Sequence, residues 1–403
     1  MTSMSNNRLY IAAAGAGKTT FLVRHACDLL KEDGQKSICI VTYTIKNQYE
    51  IRKRFIEEMG YVPSCIKICG WFDFLLTYCI RPFMGAVIED LRCRSVGHIL
   101  VNEISGTFKT KDGRTFKTYK SGDLKKKFLA DSKHFYSDKL SEFAFLCYKE
   151  RMPQFTGRME AIFSSILIDE VQDLSSWDYS VLSVLLKIDN IHIVMCGDLR
   201  QKTYSTTPAT KWKNYKGHID SFFIDKVNTK RRRYVEVDYT TLNYSHRFGK
   251  EIADFASLVI GNDFPKTESC KCENCMRRQE SYKEEKGVYL VRRNDMSSFI
   301  AQYKPLSLIW DRKHNENVDT YTYNYGEVKG MSADVCLIFP TKTIISNFLL
   351  SGANNLSELT RSKLYVAVTR ARYIAAIVVD DTFDNKKIGL PFWQDKTAGI
   401  KSS

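Results

Sequence analysis

Long apolar runs are missing from this chain of 403 residues: nowhere do about 18 apolar residues follow one another, and the amino terminus has no apolar signal core. The sequence therefore predicts no membrane span and a cytoplasmic protein. Internal repeats and low-complexity linkers are absent too, which argues against a repeat array. Acidic residues are in short supply, 46 Asp and Glu against 60 Lys and Arg, for a net charge of +14 and a pI near 9.1. That deficit points to a polyanionic partner, nucleic acid ahead of an acidic membrane surface. The rest is ordinary. A hydrophobic content of 44%, a charged content of 26% and a mean hydropathy of -0.30 exclude a wholly disordered, collagen-like or multi-span chain. The length predicts two to three domains.

Twelve cysteines are present, and most sit singly in apolar runs such as Ser37 to Val41 and Ile193 to Gly197. There they read as small buried hydrophobes in a reducing compartment. Cys270, Cys272 and Cys275 form Cys-x-Cys-x-x-Cys in a polar stretch. Three thiolates could begin a zinc site, but zinc wants four ligands and no fourth follows, so a loop of free thiols is the expectation.

Apolar strands alternate with amphipathic helices. Arg8 to Ala12, a helix from Thr20 to Lys31 and Ser37 to Thr42 form one block, Ile162 to Gly197 a second, and segments from Tyr234 onward a third. This predicts an α/β fold with parallel sheets and ligands at the strands' carboxyl ends. Two basic stretches interrupt the pattern. Thr107 to Lys133 holds nine Lys/Arg with Phe108, Phe116, Tyr119 and Phe128 interleaved, and Lys211 to Arg233 mixes cations with Trp212, Tyr215, Phe222 and Phe223. Each suits a track for single-stranded nucleic acid, and equally a solvated surface whose aromatics belong to the core.

Ala12 to Thr20, reading AAAGAGKTT, follows an apolar strand and opens a helix. That is a Walker A arrangement. Ala14, Gly15, Ala16 and Gly17 let backbone amides close around phosphates at the helix amino terminus, together with those of Lys18, Thr19 and Thr20. Lys18 would reach the β- and γ-phosphates, and the Thr19 hydroxyl would ligate magnesium. Ile166-Leu-Ile-Asp169-Glu170 supplies the partner: a buried strand delivering Asp169 to the metal and Glu170 to the attacking water. ATP and Mg2+ are thus the expected cofactors.

The remaining motifs resemble those of UvrD-like superfamily 1 helicases. Val41 to Asn47 resembles the Thr-rich motif Ia, and Cys69 to Leu75 stands where the next DNA-contacting motif belongs, with Asp73 at the usual His. Asp169-Glu-Val-Gln172-Asp173 matches the family's Walker B, and Gly197 to Tyr204 matches motif III with Gln201 as γ-phosphate sensor. Ser245-His246-Arg247-Phe248 fits motif IV, Gly326 to Gly330 with Asp334 resembles motif V, and Leu364 to Arg372 matches motif VI. By this resemblance Arg247 and Arg370 act on the phosphates, Arg370 as the arginine finger, and His246 takes the base-stacking position. Lys329 and Gly330 belong to the nucleotide site. Thr42, Tyr43, Thr44, Asn47, Trp71, Phe72 and Tyr204 would touch DNA.

The resemblance implies two RecA-like parallel-sheet lobes with ATP hydrolysed between them. The first would comprise 1–80 and 161–235, with a basic helical insert at 81–160 resembling the family's 1B subdomain. The second would comprise 236–403. Only 76 residues lie between Ile252 and Lys329, so the family's large 2B insertion is absent or vestigial, reduced to a region near 262–325. Departures are instructive. No Gln motif precedes Ala12, which leaves base preference open. Thr206 and Thr207 replace the aromatic and Arg-Gly of motif III, and Gly326 and Ser332 replace the usual His and Glu of motif V.

The compact size, Asp73 and the following Ile80 to Phe83 resemble the small helicase subunits of Gabija-type antiphage systems, whose partners are nucleases joining an ABC-type ATPase to a Toprim domain. A stand-alone phage or plasmid repair helicase is the rival. The expected activity is a single-stranded DNA translocase and helicase moving 3′ to 5′ on single-stranded or tailed DNA. An ATPase subunit that senses DNA ends and licenses a partner nuclease is the alternative, and an RNA helicase is a third option, because sequence does not report 2′-OH recognition.

Overall fold

The computed structural model describes residues 7–34, 37–101, 103–110, 112, 114–120, 122–202, 211–311, 322–352 and 355–395. Two compact units emerge, each interleaved along the chain: Met1–Tyr10, Lys18–Gly197 and Ser205–Asp238 form unit one, and Ile11–Gly17, Asp198–Tyr204 and Tyr239–Ser403 form unit two. Among the described residues no helix is long and apolar enough to cross a membrane.

Unit one is built on β1 (Arg8–Ile11), β2 (Ile38–Thr42), β3 (Ile66–Gly70), β4 (Ser165–Ile168), β5 (His192–Gly197) and β6 (Glu236–Asp238), in the order β6-β1-β5-β4-β2-β3. The pairings β1–β6, β2–β3, β2–β4 and β4–β5 are parallel. Every residue of β2 and β4 is buried, as continuous apolar strands covered on both faces must be. Helix α1 (Lys18–Glu32) buries Leu22, Val23, Ala26 and Cys27, and α2 (Ile45–Met59) buries Ile51 and Phe55. Thr44 caps α2 by accepting from the Asn47 amide, and Gly60 closes it at φ 82°.

Parallel register brings strand ends together. Thr42 pairs with Gly70, Val41 with Ile168, and Ile168 with Met195. The residues that follow therefore emerge along one edge of the sheet: Tyr43, Trp71 and Asp169.

Residues 81–160 are less helical than the sequence suggests. The basic stretch forms an antiparallel hairpin, Thr107–Lys109 with Thr115–Lys117, followed by a short helix, Leu124–Phe128. The longer helices, Leu140–Glu150 and Met152–Ile162, come after it. Thr107-Phe108 and Thr115-Phe116 are residue types that favour strands, which accounts for the hairpin.

Unit two holds a second sheet of β7 (Gly287–Arg292), β8 (Leu306–Ile309), β9 (Thr322–Asn324), β10 (Ala333–Ile338) and β11 (Ala371–Val379), ordered β7-β11-β10-β8-β9 with every pairing parallel. Apolar side chains of this sheet face two cores. One includes Leu290, Cys336, Ile338 and Ile377 with helices α3 (Lys250–Ile260) and α4 (Glu358–Val368). The other includes Val291, Leu337, Ile374 and Trp393. Mixed α/β architecture with these parallel sheets is that of a RecA-like P-loop NTPase.

Candidate nucleotide site

The phosphate loop runs from the end of β1 into α1, and its backbone groups with unit two while Lys18 opens the helix of unit one. Gly15 and Gly17 have φ of 75° and 78°, a region that favours glycine. A Cβ at Gly15 would also stand 2.7 Å from both the Arg247 Cβ and the Ser245 Oγ. Here backbone conformation and close approach both require glycine.

In unit one, five side chains converge. The Thr19 hydroxyl donates to Asp169 Oδ2 at 2.7 Å, and Lys18 Nζ lies 3.7 Å from Glu170 Oε1. Gln172 donates to the other Glu170 oxygen, and the Glu170 amide donates to Asp169 Oδ1 at 2.9 Å. Glu170 holds a left-handed backbone, φ 58°, just past the end of β4. Burial, with Glu170's charge adding to it, pushes the Asp169 carboxyl up to about 6 against the pull of Lys18 and Thr19. A divalent cation would relieve both effects, and the hydroxyl-carboxylate pair beside a lysine is the oxygen-rich donor set that magnesium takes. Thr20 lies partly exposed in the first turn of α1.

Unit two assembles the other motifs around its own segment of the loop. The Ala14 amide donates to the Tyr365 hydroxyl at 3.1 Å, and that hydroxyl donates to Asp198 Oδ2 at 3.3 Å. Gln201 Nε2 donates to the same carboxylate at 2.8 Å, while its Oε1 accepts from Arg370 at 3.4 Å. Arg370 also donates to the carbonyls of Val366, Val328 and Met331. It is fully buried, and burial with Arg247 nearby lowers it to about 9. The half-buried Arg247 donates to the Thr369 carbonyl at 2.8 Å, and desolvation lowers it too. The Gly15 carbonyl accepts from the His246 amide at 2.9 Å. Lys329 is half-buried and Gly330, at φ 83°, exposed in the turn after β9.

Three residues gain importance here that sequence reading passed over. Arg200 bonds the Ala12 carbonyl at 3.0 Å, Asn243 at 3.1 Å and the Pro265 carbonyl at 3.0 Å, with Asp198 at 3.6 Å. Tyr365 and Asp198 complete the connection to Ala14. All three lie inside quoted motifs, so position alone could have flagged them.

The expected DNA contacts divide. Tyr43 meets Phe72 edge-on at 5.8 Å, and Phe72 meets His98 at 5.4 Å, beside a small recess whose lining includes Tyr43, Phe72, Asp138 and Trp177. Thr44 is exposed but spends its hydroxyl on the α2 cap, and Asn47 bonds Thr42. Trp71 and Thr42 are corrections: both are interior, at 2% and 1% exposure. The Trp71 indole donates to the buried Asp178 at 2.8 Å, so it anchors the fold and offers no face for stacking. Tyr204, with Thr206 and Thr207, lies outside the described residues. His246 is exposed, and its ring nitrogen Nδ1 sits 3.4 Å from the Cys275 sulfur.

The two basic stretches also differ. Phe108 and Phe116 stack at 5.7 Å and are both exposed, whereas Phe128 is buried against Phe143. In Lys211 to Arg233, Phe222 and Phe223 are buried, and the Trp212 indole donates to Ser180. Those aromatics are packing.

Glycine loop, helix-opening lysine and strand-end carboxylates define a P-loop NTPase. The model of an AAA domain family matches residues 1–207, just over half of the chain, and the chain belongs to that family. No curated protein matches it.

Proposed function

We propose that this protein is an ATP-dependent translocase and helicase on single-stranded DNA, moving 3′ to 5′, in cytoplasmic antiphage defence or DNA repair. The carrying observation is the chain Ala14–Tyr365–Asp198–Gln201–Arg370, which ties the phosphate loop, the γ-phosphate sensor and the arginine finger of the resembled family into one hydrogen-bonded set. Lys18 would hold the β- and γ-phosphates, Thr19 and Asp169 would hold Mg2+, and Glu170 would orient the attacking water. Magnesium would supply charge neutralisation on the phosphate oxygens. Arg247 and Arg370 offer guanidiniums to the developing phosphoryl charge. Thr20, Lys329, Gly330 and His246 flank the nucleotide. In this reading 1–80 with 161–235, and 236–403, are the two lobes, and 81–160 is the DNA-contacting insert. The exposed Phe108–Phe116 stack on a lysine-bearing hairpin supports that role.

Strand displacement on a 3′-tailed duplex tests the proposal directly. Wild-type protein should separate the strands with ATP, and Lys18→Ala should not, while both bind the tail. Displacement by Lys18→Ala would refute the site.

The second reading, a DNA-end sensor that licenses a Toprim/ABC-ATPase nuclease without processive unwinding, is favoured by one feature. Between α3 and β9 the described residues form only short strands and helices of at most nine residues. DNA-stimulated hydrolysis without strand displacement would select it.

A further inference from the structure

Fold and chain connectivity bring together a ligand set that spacing alone concealed. A short parallel pairing of Tyr244–Ser245 with Glu268–Ser269 sets His246 beside Cys270, and the Cys270 amide donates to the Ser245 carbonyl at 2.8 Å. The ligand atoms of His246, Cys270, Cys272 and Cys275 all lie within 4.8 Å of one another, with Cys275 Sγ 3.4 Å from His246 Nδ1. Zinc bonds of ~2.3 Å to sulfur and ~2.0 Å to nitrogen put tetrahedral S···S edges near ~3.8 Å and S···N edges near ~3.5 Å. The four atoms need only a small contraction. The missing fourth ligand was upstream, 24 residues before Cys270 and inside motif IV.

We propose that His246, Cys270, Cys272 and Cys275 bind one structural Zn2+ that fastens the motif IV strand end behind the phosphate loop.

The surrounding structure supports the assignment. The helix Glu273–Ser281 buries only Cys275, so it lacks an apolar anchor of its own and a metal would provide one. Cys272 stands at the N-cap of that helix, which sets Cys275 one turn further on, within reach of the same ion. The Arg278 guanidinium also donates to the His246 carbonyl and lies 3.8 Å from Cys275 Sγ, adding positive charge beside the thiolates. Three thiolates and one imidazole are a borderline-soft set, suited to zinc, and four protein ligands leave no open position for catalysis. The site matters to the loop because the His246 amide holds the Gly15 carbonyl.

The test uses the purified full chain. Elemental analysis should find about one zinc per chain, falling at least ~fivefold in Cys270→Ser and in Cys272→Ser. Should those variants not fold, wild-type protein decides alone. Replacement by Co2+ should give the intense d–d absorption and thiolate charge-transfer bands of a tetrahedral three-sulfur site, shifted in His246→Asn. A chelator should expose three additional thiols to a thiol reagent together. Zinc-free wild-type protein that gives no such cobalt spectrum would overturn the proposal, as would zinc content unchanged by the serine variants or a disulfide among these cysteines. None of these readouts involves turnover, so they stand or fall apart from the helicase reading.

Discussion

Unit one and unit two treat their phosphate-directed cations in opposite ways. In unit one Lys18 is paired with a carboxylate, and Thr19 with another. In unit two Arg247 and Arg370 donate to backbone carbonyls of their own unit, and Arg370 is enclosed. The difference teaches that, in the proposed function, the carboxylate-paired cation serves binding while the carbonyl-held guanidiniums are kept in reserve. A guanidinium on carbonyl oxygens keeps its hydrogen bonds satisfied without a countercharge, and charge-assisted bonds to phosphate would offset the cost of leaving those acceptors. The reserve half should therefore govern rate, and the paired half both affinity and rate.

Arg370→Ala offers the strongest way to break this contrast. It should lower kcat by about 10³ or more while nucleotide affinity, read with a fluorescent analogue, changes little. Equal loss of affinity would erase the distinction between the halves. Glu170→Gln comes next, lowering kcat by roughly 10²–10³ at near-wild-type affinity and leaving the Lys18 and Asp169 contacts to hold the nucleotide.

The pH dependence sharpens the comparison from the other side. Asp169 is raised to about 6, so its proton is retained in the folded protein at pH values where an unfolded chain has lost it. Its effect on folding is therefore unfavourable and grows as pH rises from about 4 towards 6. In the proposed site that carboxylate would hold Mg2+, so Mg2+-dependent nucleotide affinity should fall as pH drops through about 6, by up to about tenfold per pH unit, and Asp169→Asn should flatten the profile. A flat wild-type profile would contradict the assignment. Smallest is Tyr365→Phe. Losing one hydroxyl between Ala14 and Asp198 should cost about 1 kcal/mol in thermal or denaturant unfolding, with catalysis reduced less than in Arg370→Ala.

The nucleotide site was legible because its chemistry is local in sequence: a glycine loop opens a helix, and an apolar strand ends in two carboxylates. Alternating strands and helices likewise revealed the parallel sheets. What stayed hidden depends on side-chain direction or on distant pairing. Trp71 looks like a stacking residue until the end of β3 turns it towards Asp178. The two basic stretches read alike, yet strand pairing exposes Phe108 and Phe116, while packing in unit one buries Phe222 and Phe223. Cys270, Cys272 and Cys275 lacked a partner because His246 reaches them only through a strand pairing.

The most direct test of the central claim is the ATPase rate measured alone and with single-stranded DNA, duplex DNA and RNA, in wild-type and Lys18→Ala protein. A nucleic-acid motor of this kind should gain roughly tenfold or more with single-stranded DNA only, and Lys18→Ala should show no turnover under any condition. A wild-type rate indifferent to all three nucleic acids would contradict it.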